Sequence, residues 1–381
     1  MNADELLDAA RSQTALDDFG ENSFREGLEV LAASLGREAR LSEAGEQMAR
    51  AHLTQLLATR LEIEDCYRRH PEIEAEEVAA PIFILGLPRT GTTALSYLMA
   101  RDPGTRSLRL WESQAPVPPP ETATEETDPR IATTQGFLDV MQTAYPELVA
   151  MYFATATSPT ECQDLLGREF RAPHFWGQYW IPTYADWQQG CDMEPAYRYH
   201  ARQLRLLQWR CPPTRWLLKT PVHMLSLDAL DRVYPDARFV MTHRDPAKVL
   251  GSVCSLIALM HRMTSDAVDR RALGRAQVDL WAEALRRAID FRARVGDERF
   301  ADLHFDELQG APVEAIARAY ARLGVPFTGA ARARMSGWAG ENPRGKHGEH
   351  HYRLEDFGLD PAAVRAQYGF YMKRFAVPVE A

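Results

Sequence analysis

Residues 81–86, Pro-Ile-Phe-Ile-Leu-Gly, form a short unbroken apolar run that leads into Leu87-Pro88-Arg89-Thr90-Gly91-Thr92-Thr93. A run of this length with no polar alternation reads as a strand buried on both faces, as in the middle of a parallel sheet. The turn after it carries Gly91 and three threonines, and Ala94–Ala100 is helix-compatible before Asp102-Pro103-Gly104 stops it. Strand, glycine-bearing turn and helix in this order are the setting of a phosphate loop. The first amides of the helix have no partner within it, and its dipole favours an anion there. Arg89 adds a cation with a forked donor set, and Thr90, Thr92 and Thr93 add hydroxyls. Thr92 stands where a Walker A loop has lysine, and no run of four apolar residues ending in Asp supplies a Walker B partner. Hydrolysis of ATP or GTP is disfavoured, while a single phosphate group fits.

The rest of the chain alternates in the same way. Ser107–Leu110, Trp216–Leu218, Arg238–Thr242 and Phe300–Phe305 read as strands. Val222–Val233, Pro246–Met260, Ala272–Val295 and Pro312–Leu323 read as helices. Alternation predicts an α/β fold, a parallel sheet with helices on both faces. Residues 1–80 read as an added helical region. Ser23-Phe24-Arg25-Glu26 has the form of a capping box, a second helix runs from Ser42 to about Cys66, and Tyr67–Ala79 reads as a linker. Residues 81–381 then form the main domain, with a helical insertion at about 112–212. Within it Pro116–Pro120 is a proline-rich loop, and Ser158-Pro159 reads as a helix start.

Charge and cysteine usage bound the function. The net charge of −9 argues against generic nucleic-acid binding. Five scattered cysteines with no CxxC suit neither a disulfide framework nor a zinc knuckle, and a cytoplasmic location is expected. No apolar run approaches the ~20 residues of a membrane span, and the N-terminus lacks the basic and apolar regions of a signal peptide. Peripheral membrane contact and oligomeric state stay open.

A second anion site is legible in Phe239-Val240-Met241-Thr242-His243-Arg244-Asp245-Pro246, where a strand ends at Arg244 and Pro246 starts a helix. Ser252 follows Arg244 by eight residues, about two helical turns. Arg offers charge-assisted bidentate bonds to a phosphate, and Ser a neutral donor. A third piece, Asn342-Pro343-Arg344-Gly345-Lys346-His347-Gly348, sets cations around two glycines, a composition suited to an anion nest. The nearby His347, His350 and His351 have no carboxylate or cysteine spacing that would make a metal site, and none is expected.

Together these motifs resemble the sulfotransferases that use 3′-phosphoadenosine 5′-phosphosulfate (PAPS), in particular the bacterial and tyrosylprotein-type branch. The resemblance covers about residues 81–310 and the 342–348 loop. It implies that Arg89, Thr90, Gly91, Thr92 and Thr93 cradle the 5′-phosphate, that Arg244 and Ser252 hold the 3′-phosphate, and that Arg344, Gly345 and Lys346 close over it. Lys219, in Leu218-Lys219-Thr220-Pro221 and 25 residues before Arg244, is implied to act with Arg89 on the sulfuryl group or bridging oxygen. The general base is implied to be Glu112, 20 residues after Thr92, with His223 as the alternative. The implied reaction moves a sulfuryl group from PAPS to an acceptor hydroxyl on a small molecule, lipid or natural product, with no metal. Where cytosolic members have an adenine-stacking Trp, this chain has Ala94. The aromatic stretch Phe170, His174, Phe175, Trp176, Tyr179, Trp180, Tyr184 and Trp187 reads either as an apolar acceptor pocket or as core. The rival functions are a P-loop kinase or hydrolase and a non-catalytic nucleotide-binding protein.

Overall fold

The computed structural model describes residues 1–151, 153–342 and 352–380. Five strands, β1 (Ile82–Gly86), β2 (Arg106–Ser107), β3 (Trp216–Lys219), β4 (Arg238–His243) and β5 (Phe300–His304), form one sheet in the order β2-β3-β1-β4-β5. Every pairing is parallel, with Ile84 beside Lys219 and Val240, and Gly86 beside Thr242. The carboxyl ends of β1, β3 and β4 therefore meet at the centre of one edge, where ligands of open α/β sheets bind.

The apolar runs divide strictly between the two faces. Phe83, Leu85, Trp216, Leu218, Phe239 and Met241 enter one core, and Ile82, Ile84, Leu217 and Val240 the other. This is the period of two of a pleated strand, with an apolar residue demanded on both sides. Around the sheet lie α1 (Ala3–Thr14), α2 (Phe24–Arg37), α3 (Glu43–Arg69), α4 (Thr92–Met99) and α5 (Leu110–Gln114). Further along are α6 (Glu194–Gln208), α7 (Pro246–Arg262), α8 (Arg270–Val295), α9 (Pro312–Arg322) and α10 (Gly329–Glu341). Leu95 of α4, Ile316 of α9 and Met335 of α10 pack on the second face. Leu204 of α6, Val249 of α7 and Leu285 of α8 pack on the first.

The first core continues without a break into Leu6, Leu28 and Leu53 of the N-terminal helices. Arg60 of α3 crosses that junction fully buried, donating to the carbonyls of Phe19, Glu21 and Arg168 and to Glu169 Oε1 at 2.6 Å. A charge this deep is tolerable because each part of the guanidinium has an acceptor.

Several local expectations change. Ser23 does not cap α2: its backbone is already helical, and its hydroxyl donates to Glu169 instead. Ser42 does cap α3, which runs on to Arg69. The strand expected at 107–110 closes after Ser107, and α5 starts at Leu110. Val222–Val233 divides into a 3₁₀ turn, Pro221–Leu225, and a helix, Leu227–Val233. Ser158-Pro159 begins no helix; Pro159 bridges Arg109 and the Thr160 amide donates to the Leu108 carbonyl at 2.8 Å. Pairing with an edge segment has overridden the local helix-start signal. No helix among the described residues is long and apolar enough to cross a membrane.

Candidate active site

The loop between β1 and α4 is built for close backbone approach. Gly86 has φ +126°, and a Cβ there would fall 2.3 Å from Thr242 Oγ1 and 2.6 Å from its carbonyl oxygen. Gly91, also left-handed at φ +94°, is the N-cap of α4 and leaves the helix start without a side-chain cap. Thr90 is buried and spends its hydroxyl inside the loop, donating to the Leu87 carbonyl at 2.6 Å and lying 2.5 Å from Thr242 Oγ1. That hydroxyl ties the loop to β4. Thr92 is buried too, and Thr93 is half-buried at the helix start.

Arg89 joins the first two sequence motifs. It stands in the left-handed region at φ +65°, and its half-buried side chain turns toward α7. Arg89 Nε donates to Ser252 Oγ at 3.0 Å and Nη1 to the Met151 carbonyl at 2.5 Å. Its own carbonyl accepts from Arg244 Nη1 at 3.1 Å. Burial, with a smaller push from Arg244, lowers its pKa from the ordinary arginine value. Among the described residues no carboxylate is paired with Arg89, although most arginines in this protein have one. A desolvated cation with only neutral acceptors, beside the open start of α4, is a site for an anion.

Arg244 lies on the far side of this loop. Its guanidinium stacks 3.8 Å from the centre of the Phe305 ring, and its fork holds Glu380 at 2.8 and 3.0 Å. Tyr352, the first described residue after 351, covers Gly251 and donates to the Lys248 carbonyl at 2.6 Å. Arg344, Gly345 and Lys346, with His347, lie outside the described residues.

On the near side Lys219 ends β3, almost wholly buried. Its Nζ is 2.8 Å from Glu161 Oε1 and 3.5 Å from Thr93 Oγ1. Glu161 accepts from Thr220 Oγ1 at 3.0 Å and from Gln163, and remains 20% exposed. The Cys162 amide donates to the Lys219 carbonyl at 3.1 Å, which seats Glu161 at the strand end.

A model of the sulfotransferase family matches residues 81–329, well over half the chain. The chain belongs to the sulfotransferase family. The sulfotransferase STF9 from Mycobacterium avium superimposes with a TM-score of 0.91 at 31% identity, over 100% of this chain and 98% of that one. STF1 from Mycobacterium tuberculosis H37Rv superimposes with a TM-score of 0.87 at 31% identity, over 97% of this chain and 99% of that one. The omega-hydroxy-beta-dihydromenaquinone-9 sulfotransferase Stf3 of Mycobacterium bovis is 30% identical over 115 residues, 29% of this chain and 28% of Stf3. The match therefore spans under a third of that curated relative's length.

Two residues expected to carry chemistry make other contacts. Glu112 is fully buried, its Oε1 accepting from Arg106 at 2.6 Å and its Oε2 from the Arg109 amide at 3.1 Å. Those bonds tie β2 to the first turn of α5 and leave the carboxylate no open side. His223 lies under the sheet, edge-on to Phe83 at 5.0 Å, its Nδ1 2.8 Å from the Tyr197 hydroxyl. Burial holds it neutral, with a pKa well below the ordinary histidine value. Among the described residues neither side chain is hydrogen-bonded to the loop.

The carboxylate beside Lys219 is Glu161, which sequence reading passed over. Glu161 and Lys219 are 58 positions apart, and no motif links them. The aromatic stretch divides: Phe170, Phe175 and Tyr184 are fully buried, with Phe24 of α2 6.3 Å from Phe170, and so serve the N-terminal junction. Trp176, Tyr179 and Trp180 border a surface groove of about 510 Å³ beside His261.

Proposed function

We propose that this sulfotransferase transfers a sulfuryl group from PAPS to an acceptor hydroxyl. The observation that carries the reading is the meeting of Arg89, Arg244 and Ser252 around one loop, with Lys219 and Glu161 at the next strand end. Such a site offers two anion positions. The 5′-phosphosulfate would lie at the start of α4, with Arg89, Lys219 and the amides from Gly91 onward as its donors. The 3′-phosphate would lie at Arg244 and Ser252.

Two separate anion positions fit a nucleoside 3′,5′-bisphosphate better than a linear triphosphate, which would present its charges in one row. In this reading the acceptor oxygen attacks sulfur, the bond from sulfur to the bridging oxygen breaks, and adenosine 3′,5′-bisphosphate departs. Lys219 neutralises the charge that builds on the leaving phosphate. Glu161 replaces Glu112 as the proposed base, because it is partly exposed and held at Lys219. Positioning and fixed cations carry the acceleration, as in phosphoryl transfer.

For the acceptor we propose an apolar alcohol, lipid or natural product. Phe137 and Val140 are exposed at 56% and 66% on the helix 129–144, which leads toward Met151 and its bond to Arg89. Stf3 is named for an acceptor of this chemical kind.

Calorimetry with adenosine 3′,5′-bisphosphate, AMP and Mg-ATP tests the donor. The bisphosphate should bind at least about tenfold more tightly than AMP, and Arg244→Ala should abolish that difference. Preference for Mg-ATP would move the protein to a kinase or hydrolase reading. A screen of hydroxylated lipids and phenols with labelled PAPS would then identify the acceptor.

A further inference from the structure

Glu380 is the residue through which the segment after the helix Gly369–Arg374 reaches the candidate 3′-phosphate position. Its carboxylate oxygens take Arg244 Nε at 2.8 Å and Nη2 at 3.0 Å. The third nitrogen, Nη1, is on the Arg89 carbonyl at 3.1 Å. Every nitrogen of this guanidinium therefore already has an acceptor. The carboxylate is also held in place by its backbone. The Glu380 amide donates to Asp245 Oδ2 at 3.0 Å, and its carbonyl accepts from Arg365 Nη2 at 3.1 Å. Arg365 itself pairs with Asp245 at 2.7 Å, and the neighbouring Val377 is buried in the main core.

A carboxylate and a phosphate present the same pair of oxygens to an arginine fork. They cannot share one edge of it, and a phosphate brought beside a retained carboxylate meets like charge. We propose that Glu380 is an internal competitor for the nucleotide's 3′-phosphate at Arg244. It keeps the guanidinium aimed and neutralised in the free enzyme, yields to the dianionic phosphate on binding, and returns to the fork as the bisphosphate product leaves. The proposal rests on the reading of Arg244 as the 3′-phosphate ligand. It adds that nucleotide affinity is set below what Arg244 could provide. A weaker hold on product favours turnover wherever release limits the rate.

Glu380→Gln keeps the shape and the backbone bonds while removing the charge. Calorimetry should find adenosine 3′,5′-bisphosphate bound about tenfold more tightly by Glu380→Gln than by the parent, with AMP unchanged. Stopped-flow displacement should find the bisphosphate leaving correspondingly more slowly. In Arg244→Ala the added Glu380→Gln change should have no effect, since the contested fork is gone. Unchanged or weaker bisphosphate binding by Glu380→Gln, or equal tightening of AMP, overturns the competitor role. If the parent still prefers the bisphosphate over AMP in that case, the Arg244 reading stands without it. A parent indifferent to the 3′-phosphate overturns the reading of Arg244 itself.

Discussion

At the scale of single residues, the proposed base turns on the contrast between two glutamates. Glu161 is partly exposed and paired with Lys219, whereas Glu112 is sealed against Arg106. Glu161→Gln should lower kcat by about 10²- to 10³-fold with little change in bisphosphate affinity, the span for loss of a general base. Glu112→Gln leaves Arg106 facing a neutral partner in a dry site. It should cost stability of about 3 kcal/mol, read by urea denaturation, with kcat nearly kept in the folded fraction. The reverse pattern, a dead Glu112→Gln and an active Glu161→Gln, would return the base to Glu112. Arg89, Lys219, Arg244 and Ser252 were all legible beforehand because each sits in a short motif at a strand end or on the helix that follows. Glu161 was not, because its place comes from a bridge between Pro159 and Arg109 and a bond from Cys162 to Lys219. His223, the alternative base that the resemblance implied, sits in a 3₁₀ turn against Phe83 and Tyr197.

The element that decides the site is the turn from β1 to α4. It needs β1 and β4 to approach more closely than a side chain permits, and Gly86 and Thr242 face each other across that gap. Gly86→Ala places a methyl group within 2.6 Å of the Thr242 carbonyl oxygen in a left-handed backbone. The variant should be destabilised by about 3 kcal/mol and should lose bisphosphate affinity, because the loop can relieve the clash only by leaving β4. Retention of both properties in denaturation and calorimetry would mean that the loop is softer than its bonds to Thr242 imply. The strands were readable because apolar runs demand burial on two faces. Their ends were less so. β2 is cut to two residues because Leu110 opens a helix, and α10 carries little amphipathic signal yet still buries Ala331 and Met335.

Across the whole molecule, burial of histidine couples folding to pH. Burial lowers the pKa of His200 to about 3 and that of His261 to about 4, and holds His174 and His223 well below the ordinary value. In the unfolded chain these rings take up a proton near pH 6.5, so their contribution is complete above that pH and is lost as pH falls toward the folded values. Each can give a slope approaching about 1.4 kcal/mol per pH unit. Asp302, held far below its usual range by His243 and Arg292 against the opposing effect of burial, loses its contribution only below about pH 4. Glu62 and Glu169, whose carboxyls burial pushes up, act with the opposite sign. The urea midpoint should therefore fall steeply between pH 6.5 and about 5; a flat midpoint there would refute the pH coupling argued from these rings.

The amino-acid order by itself determined the α/β class, the glycine-bearing loop between β1 and α4, and the cations at or just after the ends of β1, β3 and β4. Each of these rests on residues within a few positions of one another, where periodicity and turn chemistry act directly. Tertiary structure alone decided which carboxylate meets Lys219, that Glu112 bonds to Arg106 and Thr90 to Leu87, and that Glu380 reaches Arg244 across 136 positions. Such contacts depend on how helices stack on two faces of a sheet. Many sequences of the same local pattern could satisfy that packing with different partners.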